Sequence, residues 1–209
     1  MQRATIGVRT HSGWAALVAV SIRNDAVEVL ARRRIALILP NAAGAKQPYH
    51  HSENLPLTDA EKFLRECAAT SERLAARSLR GLLDELRDRQ YSISACALLL
   101  AAGRELPSLE KILASHALIH AAEGEFFRHA IANGCKRLDV SVIGMRERDL
   151  AEHLVRACGS NASRIEQQIS TLGKSLGPPW TQDQKAAAAA AFAVLMSAGN
   201  SRSSVQTAS

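Results

Sequence analysis

The stretch TIGVRTHSGWAALVAV, Thr5 to Val20, decides how the rest of the chain is read. Apolar runs flank a His-Ser-Gly turn, the pattern of a strand, a tight reversal and a second strand. Worked outward, the strands cover residues 4–9 and 14–23, and Asn24-Asp25 supplies a compact turn into a third strand at 26–39. In that strand Val27, Val29 and Ala31 face one way while Glu28, Leu30 and Arg32 face the other. This is the period of two of a half-buried strand. Three antiparallel strands therefore open the chain.

Helices and strands then alternate. A long connection over residues 40–57 carries Gly44, Pro48 and Pro56, and connections of this length are usually functional or mobile. Thr58 with Glu61 has the form of a capping box. Phe63, Cys67, Leu74, Leu82 and Leu86 carry helical spacing on to about residue 89. SISACALLLAAG, residues 92–103, is apolar without alternation, which suits a central strand covered on both faces. Pro107 and Ser108 open a helix expected to run to Asn133 and stop at Gly134. LDVSVIGM, residues 138–145, reads as a further strand, followed by helices at 148–157, 163–176 and 181–198. Residues 199–209 have the composition of a disordered tail. The order predicts an α/β fold in one domain, residues 1–198: a mixed five-stranded sheet with helices on both faces.

At 209 residues the chain is long enough to bury a sizeable core. Aromatics at 4% are too scarce for the stacking platforms of single-strand binders. A net charge of +6 leaves nucleic acid or a phosphorylated ligand open as partner. The 26 basic residues are interspersed with 20 acids, however, which reads first as a solvated basic surface. Cys67, Cys96, Cys135 and Cys158 show no paired metal-ligand spacing and sit in apolar patterns, as buried free thiols of a reducing compartment do. The chain opens on a strand without a signal-peptide core, and its longest apolar runs, 93–102 and 186–196, fall short of the roughly 20 residues that span a bilayer. A cytoplasmic protein with no membrane partner is expected.

The element order is similar to that of the RNase H-like fold, and three segments resemble the Holliday-junction resolvase (RuvC-type) branch. IGVRTHSGWAALVAV resembles its opening hairpin, with Ser12, Gly13 and Trp14 at the turn. HAAEGEFFRHAIANG, His120 to Gly134, resembles the helix after the fourth strand. SRIEQQISTLGKSLGPPWTQDQKAAAAAAFAVL resembles the closing region, where a proline-led turn delivers an acid into an alanine-rich helix. The resemblance implies acids on the first strand, the end of the fourth strand and the last helix, holding two Mg²⁺ ions for an in-line displacement. Transferred to this chain, the first strand offers Ile6, Gly7, Val8 and Arg9. The fourth strand ends in Leu100, Ala101 and Ala102, and only Asp183 stands where an acid is wanted. A guanidinium repels a divalent cation. A divalent metal is thus not supported by the acidic pattern, and no metal ligand set is assigned.

Other residues carry candidate chemistry. His116, His120, Glu123 and Phe127 are spaced by 4, 3 and 4, so they share one helix stripe that Ile112, Ile119 and Ile131 mark as the buried side. Two imidazoles and a carboxylate on such a face make either a pocket for a metal or acid–base work, or a core hydrogen-bond network in which Glu123 meets Arg9 or a histidine. Arg9, His116, His120 and Glu123 form the candidate catalytic set. His11, Arg32, Arg34 and Asp183 form the candidate binding set. Arg9 either pairs with Glu123 or offers a fork to phosphate. For Asp183, a Thr181–Gln184 capping box is the competing account. Trp14 is expected in the core, and His50 and His51 in a mobile loop. The resulting expectation is a binding or scaffold domain with weak nucleic-acid affinity. A hydrolase or nuclease rebuilt on Arg, His and Glu, and a homo-oligomer joined through the alanine-rich helix, are the alternatives.

Overall fold

The computed structural model describes residues 1–24, 26–101 and 105–206, with 199–206 described by backbone alone. The opening hairpins form β1 (Gln2–His11), β2 (Trp14–Arg23) and β3 (Ala26–Ala36). The 40–57 connection contains a short helix, α1 (Pro48–Ser52), and leads into the long α2 (Leu57–Asp88). Then come β4 (Tyr91–Leu100), α3 (Leu109–Leu113), α4 (His116–Lys136) and β5 (Val142–Arg146). The chain closes with α5 (Leu150–Cys158), α6 (Ala162–Thr171), α7 (Gly173–Leu176) and α8 (Gln182–Gln206).

The five strands lie in the order β3-β2-β1-β4-β5. β1 pairs antiparallel with β2 and parallel with β4, and β5 adds parallel to β4. The sheet is mixed, as the element order predicts. The fold is α/β and RNase H-like.

Parity on β1 sorts its residues between two cores. Ala4, Ile6 and Val8 join Leu79, Leu82, Phe127 and Ile131 of α2 and α4. The alternate positions Thr5, Gly7, Arg9 and His11 therefore face the side covered by α8. There α8 lies almost on the strand, because a side chain at Gly7 would stand 1.8 Å from the Ala187 carbonyl oxygen. Only glycine fits, and this contact fixes the height of α8 over the sheet. Ala186 to Leu195 are all buried, between β1, β2 and β4 on one side and α5 and α6 on the other. The alanine run of this helix is thus packed within the chain's own core.

Several local expectations are corrected. The Thr58–Glu61 capping box does not form: α2 begins one residue earlier, with Pro56 at its N-cap and no side-chain cap. The expected helix 108–133 is two helices, broken where Ser115 takes an extended conformation (φ −141°, ψ 112°) before α4. Gly134 does not end α4. It is buried inside it, where its missing side chain lets the helix approach Ala75 and Ala76 of α2. The last helix continues past Ala198 to Gln206, so its backbone is helical where a tail is expected from Gly199. Asp25 of the second turn, residues 102–103 of the expected strand and residues 207–209 lie outside the described residues. Among the described residues no helix is long and apolar enough to cross a membrane.

Candidate functional site

The carboxyl ends of the parallel strands β1, β4 and β5 meet at one edge of the sheet, the place where open α/β sheets present ligand sites. Arg9 emerges there between two acids. Its Nε and Nη2 donate to Glu147 Oε2 and Oε1 at 3.0 and 2.9 Å, a bidentate fork, and its Nη1 donates to Asp183 Oδ1. His11 Nε2 lies 3.1 Å from the same Asp183 oxygen. The His11 ring stacks on Trp14 with centroids 4.2 Å apart and planes 10° apart, and Arg34 Cζ sits 3.8 Å from the Trp14 ring centroid. Trp14 is therefore half-buried between two cationic or cationisable groups, not in the core. Period two places Trp14 opposite His11 across the turn, and pairing with β3 brings Arg34 beside it.

Asp183 reaches this edge because the Thr181–Gln184 capping box does form. The Thr181 amide donates to Gln184 Oε1 at 2.9 Å, and the Gln184 amide donates to Thr181 Oγ1 at 3.4 Å. With its helix end satisfied by neighbours, the Asp183 carboxylate turns to Arg9 and His11. Partial burial works to raise the Asp183 pKa, but hydrogen bonds from Arg9 and His11 outweigh it and hold the carboxyl below its ordinary value. Partial burial likewise opposes the Arg9 charge, and the bonds to Glu147 and Asp183 overcome it, raising Arg9 above its ordinary value.

A cleft of about 290 Å³ opens above this pair. Its walls include Arg9 and His11, Arg128 from α4, Arg146 at the end of β5, and Glu147 and Arg148 just after it. Arg128 Nη1 pairs with Glu125 at 2.8 Å while its buried Nε has no hydrogen-bond partner. Arg146 and Arg148 approach Asp149 at 2.6 and 3.5 Å. Each of the four guanidinium groups faces an acid, Glu147 and Asp183, Glu125 or Asp149, yet a guanidinium has five donors, and those left over can take an anion. Two magnesium ions do not fit these donors. The strand ends contribute Arg9 and Leu100 where carboxylates are required, and the oxygens of both nearby acids, Glu147 and Asp183, are already engaged by Arg9.

The remaining predicted residues fall elsewhere. Glu123 is not paired with Arg9, because α4 covers the opposite face of the sheet from the one Arg9 occupies. Its carboxylate, 5% exposed, lies 3.0 Å from His50 Nδ1 and accepts the His50 amide at 3.2 Å. His116 and His120 are exposed, not buried. The candidate catalytic set thus separates into Arg9 at the sheet edge and three residues of α4 that gather round His50. Ring nitrogens of His50, His116 and His120 come within 4.8 Å of one another. His50 sits in an ordered helical turn led by Pro48, contrary to the mobile-loop expectation. Arg32 is not free for phosphate: its guanidinium donates to the carbonyls of Leu176, Gly177 and Pro179 at 2.6, 2.7 and 2.5 Å. Glu147, Arg128, Arg146 and Arg148 escaped the sequence reading. The available signal was the position of residues 146–148 directly after a parallel strand, where a ligand edge is expected.

RuvC from T. thermophilus in complex with a Holliday junction substrate superposes over 95% of this chain and 96% of its own, with a TM-score of 0.55 and 12% identity. The fold is that of the RuvC resolvases. A second Thermus thermophilus RuvC structure gives 0.54 at 13% identity, with the same coverage. The Aquifex aeolicus member of the Ppx/GppA family overlaps 75% of this chain at a TM-score of 0.35, too loosely to bear on the fold. No family model and no curated protein matches the sequence.

Proposed function

We propose that this chain is a nucleic-acid-binding domain that keeps the RuvC-type fold and has exchanged two-metal cleavage for an arginine-centred ion pair. The observation that carries this reading is Arg9 bridging Asp183 and Glu147 at the carboxyl edge of β1, inside a cleft with three further arginines. A solved neighbour of the same fold is in complex with a Holliday junction substrate, and a chain with a net charge of +6 attracts the same polyanion. Four free thiols support a reducing, cytoplasmic setting. A catalytic site rebuilt from Arg9, His116, His120 and Glu123 has less support, since those side chains do not converge.

Fluorescence anisotropy with a four-way junction and a linear duplex tests the reading. If Arg128, Arg146 and Arg148 each meet a phosphate, the log–log salt slope is about −2.7, or roughly a fortyfold loss of affinity over a fourfold rise in salt. Arg148→Ala then reduces the slope by about 0.9. A flat salt dependence, or a slope unchanged in the Arg146→Ala/Arg148→Ala double variant, overturns the cleft assignment. Manganese-dependent cleavage of the junction that disappears in Asp183→Asn overturns the loss of nuclease chemistry.

A further inference from the structure

We propose that His50, His116 and His120 bind a single late divalent transition metal of the Zn²⁺ class, with a fourth coordination position open to solvent. This site lies away from the sheet edge and is independent of the nucleic-acid reading. His116 and His120 are one turn apart at the start of α4, and their Nε2 atoms stand 3.0 Å apart. Two neutral imidazoles facing nitrogen to nitrogen share one proton at most, whereas a cation between them uses both lone pairs. A tetrahedral Zn²⁺ with bonds of 2.0–2.1 Å separates its ligand nitrogens by about 3.3 Å. The α4 pair is already near that spacing.

The third imidazole comes from α1. The His50 ring centroid lies 4.7 Å from that of His120 and 5.2 Å from that of His116. One nitrogen from each of the three rings falls within 4.8 Å of the others, so a modest rotation of His50 completes the set. Glu123 explains why His50 is held there. This buried carboxylate, one turn beyond His120, accepts the His50 amide and lies 3.0 Å from its Nδ1, a buried ring nitrogen that the resting ring orientation leaves without a hydrogen-bond partner. The same small ring rotation that completes the set would aim an Nδ1 proton at the carboxylate and leave Nε2 as a lone pair. A carboxylate behind a ligating imidazole orients it and strengthens it as a donor.

Three neutral nitrogens select Zn²⁺, Co²⁺, Ni²⁺ or Cu²⁺ over Mg²⁺ and Ca²⁺, which take oxygen ligands. Because His116 and His120 are exposed, solvent reaches the fourth position, the open form of a three-histidine centre. The bound ion would fasten α1, within the 40–57 connection, onto the first turns of α4.

The test uses the full chain, untagged and stripped with a chelator, titrated with Zn²⁺ in competition with a chromophoric chelator and with Co²⁺ by visible absorption. The expected result is one Zn²⁺ per chain, d–d bands of low-coordinate Co²⁺, and no competition from Mg²⁺. His116→Ala and His120→Ala, at exposed positions, keep the native circular dichroism and weaken Zn²⁺ binding by about tenfold or more. Glu123→Gln weakens it by about 10–100-fold; should that buried variant not fold, the two exposed histidines carry the test. His153→Ala and Cys67→Ser bind as the parent does. Failure of the parent chain to bind Zn²⁺, or undiminished binding in the His116→Ala/His120→Ala double variant, overturns the proposal. So does binding that Cys67→Ser abolishes.

Discussion

Replacing Gly7 with alanine probes the contact on which the sheet-edge geometry depends. The new methyl carbon would stand 1.8 Å from the Ala187 carbonyl oxygen, 2.7 Å from its carbonyl carbon and 3.1 Å from Ala191 Cβ. Ordinary carbon–oxygen contacts lie at about 3.3 Å or more, so α8 must back away from β1 by roughly 1.5 Å. The obstacle is helix backbone and cannot rotate aside. Overpacking of a filled core costs about 1–3 kcal/mol and sometimes more, and this case belongs at or above the upper end. At about 2–4 °C per kcal/mol for a domain of this size, a loss near 3 kcal/mol lowers Tm by roughly 6–12 °C. Gly81→Ala is the matched control. Gly81 lies within α2 with nothing within 4 Å of an added methyl, so the change gains roughly 0.5–1 kcal/mol of helix propensity and raises Tm. Thermal unfolding followed by circular dichroism reads both. A Gly7→Ala protein melting within about 2 °C of the parent would refute the close packing of α8 on β1, and with it the route by which Asp183 reaches Arg9.

Arg32→Ala removes three hydrogen bonds from the carbonyls at the end of α7; a loss of roughly 2–3 kcal/mol is expected, seen as a lower Tm with DNA affinity little changed, and Arg32→Lys restores only part because it lacks the planar fork. Weaker DNA binding at unchanged Tm would instead make Arg32 a phosphate ligand. For Asp183, whose folded pKa is depressed, the stabilising contribution is present above the unfolded carboxylate pKa and is lost as pH falls through the folded one. Asp183→Asn should therefore flatten the acid limb of a plot of Tm against pH, and an acid limb identical to the parent's would contradict the Arg9–Asp183–His11 arrangement.

The strand order of the opening sheet, and even the face that Arg9 occupies, follow from local pattern, because side chains alternate with a period of two and Gly7, Arg9 and His11 share one parity. The mixed sheet was equally legible in the unbroken apolar run of β4. Asp183 could be read two ways from its spacing, and both apply: Thr181 and Gln184 satisfy the helix end, and that leaves the carboxylate available to Arg9. What no local pattern contains is which helix covers which face. The sequence left Arg9 either pairing with Glu123 or offering a fork to phosphate, yet α8 lies over the Arg9 side and α4 over the other. The same limit hid His50, whose meeting with His116 and His120 joins a five-residue helix in a long connection to another more than sixty residues on. Alternation and helical period are properties of neighbours a few residues apart, so the sequence alone determined the strands and most of the helices, but not the break at Ser115 or the exposure of His116 and His120. Contacts between distant segments depend on how the whole chain minimises exposed apolar surface, and only the tertiary structure decided that Arg9 would meet Asp183, the last helix's acid.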